Sequence, residues 1–153
     1  MNEKILKAIE KLKQKGVYYR VLDIGKPART AEEVAMFYDV NPREIIKTLM
    51  IKAGEQIYAV MLPGVLKIDN KKLSKVLGKS DIRFLNSDEL FSIGFFQGEV
   101  CPILIEKEIL VDKKVFETEK INFGSGDVYF GIEINSKDLM SLIKGKIVDI
   151  SKD

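Results

Sequence analysis

Residues 41–52 read Asn-Pro-Arg-Glu-Ile-Ile-Lys-Thr-Leu-Met-Ile-Lys and join a capped helical turn directly to an apolar strand. Asparagine is a favourable N-cap and proline suits the first helical position, so a short helix is predicted to open the segment. Alternation along the strand places Lys47 on the same face as Leu49 and Ile51. Because an unpaired buried charge is strongly unfavourable, Lys47 must extend its ammonium to solvent, meet an anion or line a pocket.

The composition is that of a globular protein. The chain has 153 residues, 46% hydrophobic and 31% charged, and we predict one domain over residues 1–153. No stretch approaches the length of a transmembrane helix, so no membrane association is expected, and the N-terminus predicts a mixed-charge helix rather than a signal peptide. One cysteine permits no internal disulfide. We therefore expect a cytoplasmic protein.

The absence of histidine restricts the chemistry. It excludes Ser-His-Asp and Cys-His nucleophilic arrangements, and a zinc site would lack its commonest nitrogen ligand. No carboxylates are paired at ligand spacing, so we expect neither a metal nor a cofactor. The net charge of +2 is too small to indicate a general nucleic-acid surface. Any contact with a nucleic acid is therefore expected to be local.

The remaining patterns mix helices and strands without a regular βαβ repeat, which favours an α+β domain. Thr30 and Glu33 form a capping box for the second helix, and residues 47–62 form a predicted hairpin. Helices are predicted at 2–15, 30–38, 70–78, 87–94 and 137–143, the last with Ser136 as its cap. Strands are predicted at 17–22, 47–52, 56–62, 82–85, 103–105, 109–112, 115–116, 121–123, 128–134 and 147–150.

Two glycine-containing loops are candidate neighbours of Lys47: the early glycine loop, residues 98–102, and the late glycine loop, residues 124–127. Glycine allows close backbone approach, and successive N–H groups can bind an anion or a developing oxyanion. Each loop alone also fits an ordinary turn. Cys101 is interpreted as a small buried hydrophobe rather than a nucleophile, because no histidine is available to activate it.

The order of these features resembles the YbaK and prolyl-tRNA-synthetase-associated editing domain family, which includes free-standing aminoacyl-tRNA deacylases. The early glycine loop is similar to the family's G-x-x-x-P loop, and the resemblance extends over nearly the whole chain. It implies an α+β fold with a curved, largely antiparallel, barrel-like sheet and flanking helices. The segments that carry it are residues 30–34, 41–49, 98–102, 124–134 and 138–139.

The resemblance implies hydrolysis of the ester between a wrong amino acid and the 3′ end of a tRNA, with Lys47 as the essential catalytic residue. It implies a mischarged tRNA as partner, together with an aminoacyl-tRNA synthetase, and alanyl- or cysteinyl-tRNA(Pro) are candidate substrates. The residues implied to bind substrate are Gly25, Thr30, Gly98, Cys101, Pro102, Gly124, Ser125 and Gly126.

The chain departs from the family pattern at three places. Gly25-Lys26-Pro27 stands where many members have a histidine before the proline, and Cys101 stands where serine is common. The late glycine loop lacks the longer glycine-rich and acidic pattern of some subfamilies. These departures leave the amino acid that is removed open. Two other hypotheses also remain: a non-catalytic module that binds an aminoacyl or nucleotide group, and an interaction domain in which Lys47 lies away from both glycine loops.

Overall fold

The computed structural model describes residues 1–27, 31–96 and 99–153. Its α-helices are α1 (Glu3–Lys15), α2 (Ala31–Tyr38), α3 (Asn70–Leu77), α4 (Ser87–Ser92) and α5 (Leu139–Leu142). Its strands are β1 (Tyr19–Asp23), β2 (Ile46–Ala53), β3 (Gln56–Pro63), β4 (Lys67–Ile68), β5 (Ile82–Phe84), β6 (Ile109–Asp112), β7 (Lys120–Gly124), β8 (Phe130–Asn135), β9 (Gly145–Val148) and β10 (Ser151–Lys152). Within these described ranges, no helix has the length and apolar character needed to cross a bilayer.

The strands form a five-stranded sheet in the order β5-β2-β3-β6-β9, a three-stranded sheet in the order β1-β8-β7, and the pair β10-β4. Neighbouring strands are antiparallel except for β3 with β6 and β6 with β9. A parallel bridge between Ile45 and Asn122 joins the two larger sheets beside the start of β2. The predicted α+β fold with a largely antiparallel sheet is confirmed.

The β2–β3 hairpin lies between two hydrophobic cores. Ile46 and Met50 point into the larger core, which also contains residues of α1, β6, β7 and β8. Ile51 points to the opposite side, into a smaller core completed by Leu73 of α3. Burial on both sides explains why apolar residues occur on both faces of β2.

Helices α1 and α3 begin and end as their sequences predict. Asn2 accepts a hydrogen bond from the N–H of Ile5 at 3.1 Å, and Asp69 caps α3 in the same manner. Gly16 and Gly78 end the two helices in the left-handed region, with φ of 66° and 67°. The capping box predicted at Thr30 falls outside the described residues.

Two predicted strands are wrong. Residues 103 and 104 belong to a 3-10 turn, Pro102–Leu104, which begins with proline at a favourable position and is followed by Ile105 as its C-cap. Residues 115–116 belong to a second 3-10 turn, Lys113–Glu117, whose start is capped by Asp112 through the N–H of Lys114. Short apolar runs do not by themselves distinguish a strand from a buried turn.

The C-terminal region also differs from the prediction. Strand β8 begins at Phe130 instead of residue 128, and Ser136 does not cap a helix: its hydroxyl donates to the carbonyl of Thr118 at 2.6 Å. A 3-10 turn, Ser136–Asp138, precedes the short helix α5. The strand predicted at 147–150 lies at Gly145–Val148, and the pair β4–β10 was missed because two-residue strands have no readable period.

Candidate functional site

Lys47 lies at the start of β2, opposite Leu62 of β3, and is half-buried. Its Nζ donates a hydrogen bond to the carbonyl oxygen of Leu66 at 2.6 Å. Burial lowers the pKa of Lys47 below its ordinary value of 10.5; Glu32 of α2 acts in the opposite direction, and Lys67 adds to the lowering. Among the described residues Lys47 forms no ion pair. Because an ammonium has three donors, two remain for a ligand.

A seam between the two larger sheets lies just before Lys47. Ile45 and Asn122 are bridged in parallel there, and strand β2 approaches β7, the strand that leads into the late glycine loop. A Cβ on Gly124 would stand 2.9 Å from the carbonyl oxygen of Val100, in the early glycine loop. Glycine at this position therefore lets the two loops meet.

The N-terminus of α1 holds the late glycine loop. The side-chain amide of Asn2 donates to the carbonyl of Gly126 at 2.9 Å, and its backbone N–H donates to the carboxylate of Asp127 at 3.0 Å. Gly126 has φ of 90°, and a Cβ there would lie 2.6 Å from the Cβ of Lys4. Only glycine fits this conformation and this contact without strain.

Ser125 is part of the scaffold of the late glycine loop. Its side chain is buried, its hydroxyl lies 2.7 Å from the carbonyl oxygen of Phe130, and it accepts from the N–H of Asp127 at 3.1 Å. Among the residues that the structure describes, no acceptor is present for the backbone N–H groups of Ser125 and Gly126. The loop therefore offers backbone donors, while its serine hydroxyl is already engaged.

Cys101 and Pro102 are buried beneath the site. Only 1% of Cys101 is exposed, and it packs in the larger core with Ile103. Burial raises the pKa of the Cys101 thiol to about 12, so the thiol stays protonated at neutral pH. The structure thus supports the interpretation of Cys101 as a buried hydrophobe and leaves its side chain no surface for a substrate. Pro102 begins the 3-10 turn below it.

Gly25 lies at the same edge of the three-stranded sheet. It has φ of 74°, and its N–H donates to the carboxylate of Asp23 at 2.9 Å. The preceding residue, Ile24, donates to the carbonyl of Tyr129 at 2.8 Å, which joins this turn to the segment after the late glycine loop. Thr30 and Gly98, the other two expected substrate-binding residues, fall outside the described residues.

Two contributors to the site were missed in the sequence. Gly131 pairs across the strands with Gly124, so two glycines stand side by side on the sheet at the start of the late glycine loop. Its signal was a glycine inside a strand pattern, which often marks a close backbone approach. The other contributor is the carbonyl of Leu66, whose contact with Lys47 depends on the tertiary fold and leaves no trace in the sequence. In the described ranges, no three His, Cys, Asp or Glu side chains are grouped so that they could hold a metal ion.

Comparison with known proteins defines the class to which this fold and site belong. Residues 25–142 match the aminoacyl-tRNA editing domain family. The match spans most of the chain and includes Lys47, the described part of the early glycine loop and the whole late glycine loop. The chain belongs to the aminoacyl-tRNA editing domain family. At the level of the family, this supports deacylation of aminoacyl-tRNA.

Relatives by sequence include several proline–tRNA ligases. The chain is 22% identical over 133 residues to the enzyme of Desulfotalea psychrophila, covering 86% of this chain and 21% of that protein. It is 29% identical over 133 residues to the enzyme of Lactobacillus johnsonii, covering 82% and 23%. This chain thus spans about a fifth of the length of these curated relatives.

Solved structures share the fold over nearly their full length. The crystal structure of the hypothetical protein APE2540 superposes with a TM-score of 0.87 at 27% identity, covering 95% of this chain and 99% of that one. A proposed trans-editing enzyme for prolyl tRNA synthetase also gives a TM-score of 0.87, at 18% identity, covering 100% and 99%. Because the identity to this second structure is only 18%, the similarity shows a shared fold and nothing about activity.

Proposed function

We propose that this chain is a trans-editing deacylase that hydrolyses the ester bond of a mischarged tRNA, with alanyl- or cysteinyl-tRNA(Pro) as the candidate substrates. The observation that carries the proposal is the half-buried ammonium of Lys47, held by the Leu66 carbonyl just after the bridge between Ile45 and Asn122. At Gly124, two residues beyond Asn122, the early glycine loop packs on the late one. Membership of the editing-domain family supplies the reaction class.

In this proposal Lys47 is the fixed positive charge of the site. One of its donors is held by Leu66, which fixes the direction of the side chain, and the other two bind oxygen atoms of the substrate's terminal nucleotide. The lysine acts as an ammonium, so it orients the substrate and stabilises negative charge and does not serve as a base. A buried charge of this kind is more effective than an exposed one, because water screens it less.

The backbone N–H groups of Ser125 and Gly126 are the proposed donors to the oxyanion. A water oxygen attacks the ester carbonyl carbon, and negative charge develops on the carbonyl oxygen, where such donors act most strongly. The bond from that carbon to the ribose oxygen then breaks. The proton lost by the attacking water reaches the departing ribose oxygen through water or through the substrate's neighbouring hydroxyl. The products are the free amino acid and a tRNA with its terminal hydroxyl restored.

A deacylation panel tests the proposal. The wild type, Lys47→Ala and the control Lys52→Ala are each incubated with tRNA(Pro) charged with proline, alanine or cysteine. Other mischarged tRNAs complete the panel. Lys52 lies on the same strand with its side chain on the opposite face from Lys47. We expect hydrolysis of at least one mischarged tRNA, a loss of roughly 100-fold or more in Lys47→Ala, and wild-type rates in Lys52→Ala.

Two results would count against the proposal in different ways. Equal rates for the wild type and Lys47→Ala would remove Lys47 from the mechanism. Binding of aminoacyl-tRNA without hydrolysis of any member of the panel would instead favour the non-catalytic module.

A further inference from the structure

Two phenylalanines project into solvent close to the early glycine loop. Phe91, in α4, is 65% exposed, and Phe96, just beyond that helix, is 53% exposed. Their ring centroids are 5.6 Å apart with an interplanar angle of 63°, an edge-to-face pair. Phenylalanine is a residue that folding normally buries, and pairing two exposed rings leaves their outer faces available for contact. We call Phe91 and Phe96 the aromatic pair.

Backbone contacts connect the aromatic pair with the early glycine loop. The N–H of Glu99 donates to the carbonyl of Phe96 at 3.0 Å, and the next residue, Val100, is the one whose carbonyl packs on Gly124. Phe96 is thus hydrogen-bonded to the residue that precedes Val100 in the early glycine loop.

Lys4 connects the aromatic pair with the late glycine loop. Its Nζ lies 5.2 Å from the centroid of the Phe96 ring and 5.6 Å from that of Phe95. The Cβ of the same lysine occupies the space beside Gly126 that a side chain there would need. A cation against an aromatic face holds the ring in place and puts positive charge behind it. Phe96 of the aromatic pair is thus connected with the early glycine loop through Glu99 and with the late glycine loop through Lys4.

We propose that the aromatic pair is a stacking platform for the bases of the unpaired nucleotides that precede the 3′-terminal residue of the tRNA. This proposal rests on the proposed function, which brings that end of the tRNA to Lys47. Exposed aromatic rings bind single-stranded nucleic acid by stacking on base faces, with little dependence on sequence. The charge of Lys4 behind the Phe96 ring suits a polyanionic ligand.

The aromatic pair differs from the other exposed phenylalanine of the same part of the sequence. Phe84, in the edge strand β5, is 61% exposed, and the structure gives it no aromatic partner within the described residues. It therefore matches the aromatic pair in residue type and exposure but lacks the contacts with the glycine loops. Phe84→Ala is the matched control.

The first test compares two substrates that share the ester but differ in nucleotides. Wild type, the double variant Phe91→Ala/Phe96→Ala and Phe84→Ala are assayed on mischarged tRNA and on a 3′-aminoacyl-adenosine, which lacks the preceding nucleotides. We expect the double variant to raise KM for the tRNA about tenfold with little change in kcat, and to hydrolyse the aminoacyl-adenosine like the wild type. Phe96→Trp in place of alanine should restore the KM. Equal loss on both substrates would show that the rings only support the loop and would overturn the proposal.

The second test does not depend on catalysis. Fluorescence anisotropy measures the binding of a labelled single-stranded RNA oligonucleotide that ends in the tRNA 3′ sequence. Weaker binding by the double variant than by Phe84→Ala would support the platform even if no tRNA were hydrolysed, a result in which the proposed function alone would fail. Binding of the oligonucleotide by the double variant with the affinity of the wild type would overturn the platform.

Discussion

Lys47 acquires its properties from two neighbours on and beyond the next strand. The Leu66 carbonyl directs its ammonium, and Leu62 lies opposite it on β3. The two-residue alternation of β2 was sufficient to predict which face the lysine shares, and the structure confirms it. What the alternation did not decide was whether the ammonium reaches open solvent. Its half-burial and its contact with the Leu66 carbonyl show a partly desolvated charge, and this burial lowers the pKa of Lys47.

The first prediction concerns pH. Because burial holds the pKa of Lys47 below 10.5 in the folded state, the ammonium is lost at a lower pH than in an ordinary lysine. Deacylation that needs this charge should therefore decline on the alkaline side before pH 10.5, after the enzyme-free hydrolysis of the ester is subtracted. Between the folded and unfolded pKa values the unfolded chain binds more protons, so this residue's contribution to stability rises with pH.

Nuclear magnetic resonance checks this prediction directly. Titration of isotopically labelled lysine side chains, with the Lys47 signal identified by its absence in Lys47→Gln, gives the pKa of this group. A value at or above 10.5 would contradict the desolvation that the structure shows.

The second prediction concerns Cys101. Its thiol is buried with a pKa raised to about 12, so iodoacetamide should not label the native protein at pH 8 and should label it after unfolding in urea. Cys101→Ala should retain the kcat of deacylation at temperatures where it is folded, with a loss of stability on the order of 1 kcal/mol. Rapid labelling of the native protein together with inactivation would mean that the thiol takes part in the reaction.

At the scale of elements, the glycine loops are positioned by the strands and the helix on which they rest. The late glycine loop follows directly from β7 and is held by the N-terminus of α1, while the early glycine loop packs its backbone against Gly124. The sequence identified both loops from their glycines. It did not show that α1, more than 120 residues away in the chain, would hold one of them, because such a contact arises only from the assembled fold.

The third prediction tests the contact between the loops. Gly124→Ala places a methyl group 2.9 Å from the carbonyl oxygen of Val100, so the early glycine loop must shift. A displacement of about 1 Å at a catalytic site can cost about 100-fold in rate. Gly145→Ala is the control: its methyl group would meet the end of the flexible Met140 side chain at 2.8 Å, which can move aside. Deacylation rates for the two variants, compared at equal folded fractions, check the prediction; a Gly124→Ala rate equal to that of the wild type would contradict it.

The fourth prediction separates the cap of α1 from its hold on the late glycine loop. Asn2→Ala removes both the helix cap and the bond to Gly126, and Gly16→Ala strains only the other end of the same helix, where φ is 66°. Each should destabilise the protein by about 1 kcal/mol. Only Asn2→Ala should also slow deacylation. Thermal unfolding and rate measurements on both variants decide the matter, and equal rates would show that α1 does not position the loop.

At the scale of the whole molecule, the elements with strong local signals were predictable. Capped helices α1 and α3 and the long β2–β3 hairpin are specified by residues close together in the sequence. The 3-10 turns at Pro102–Leu104 and Lys113–Glu117, the pair β4–β10 and the seam at Ile45 and Asn122 were not predictable. Each depends on burial or pairing between distant segments. The site lies on that seam, which is why its residues could be proposed from a family resemblance but not assembled from periodicity.

The central claim is that the ammonium of Lys47 takes part in ester hydrolysis at the seam between the two larger sheets. Its most direct test is the single-turnover rate of deacylation of a mischarged tRNA(Pro) with saturating protein, for wild type, Lys47→Ala and Lys52→Ala. We expect a rate roughly 100-fold or more below wild type for Lys47→Ala and an unchanged rate for Lys52→Ala. A Lys47→Ala protein that is folded and hydrolyses the ester as fast as the wild type would contradict it.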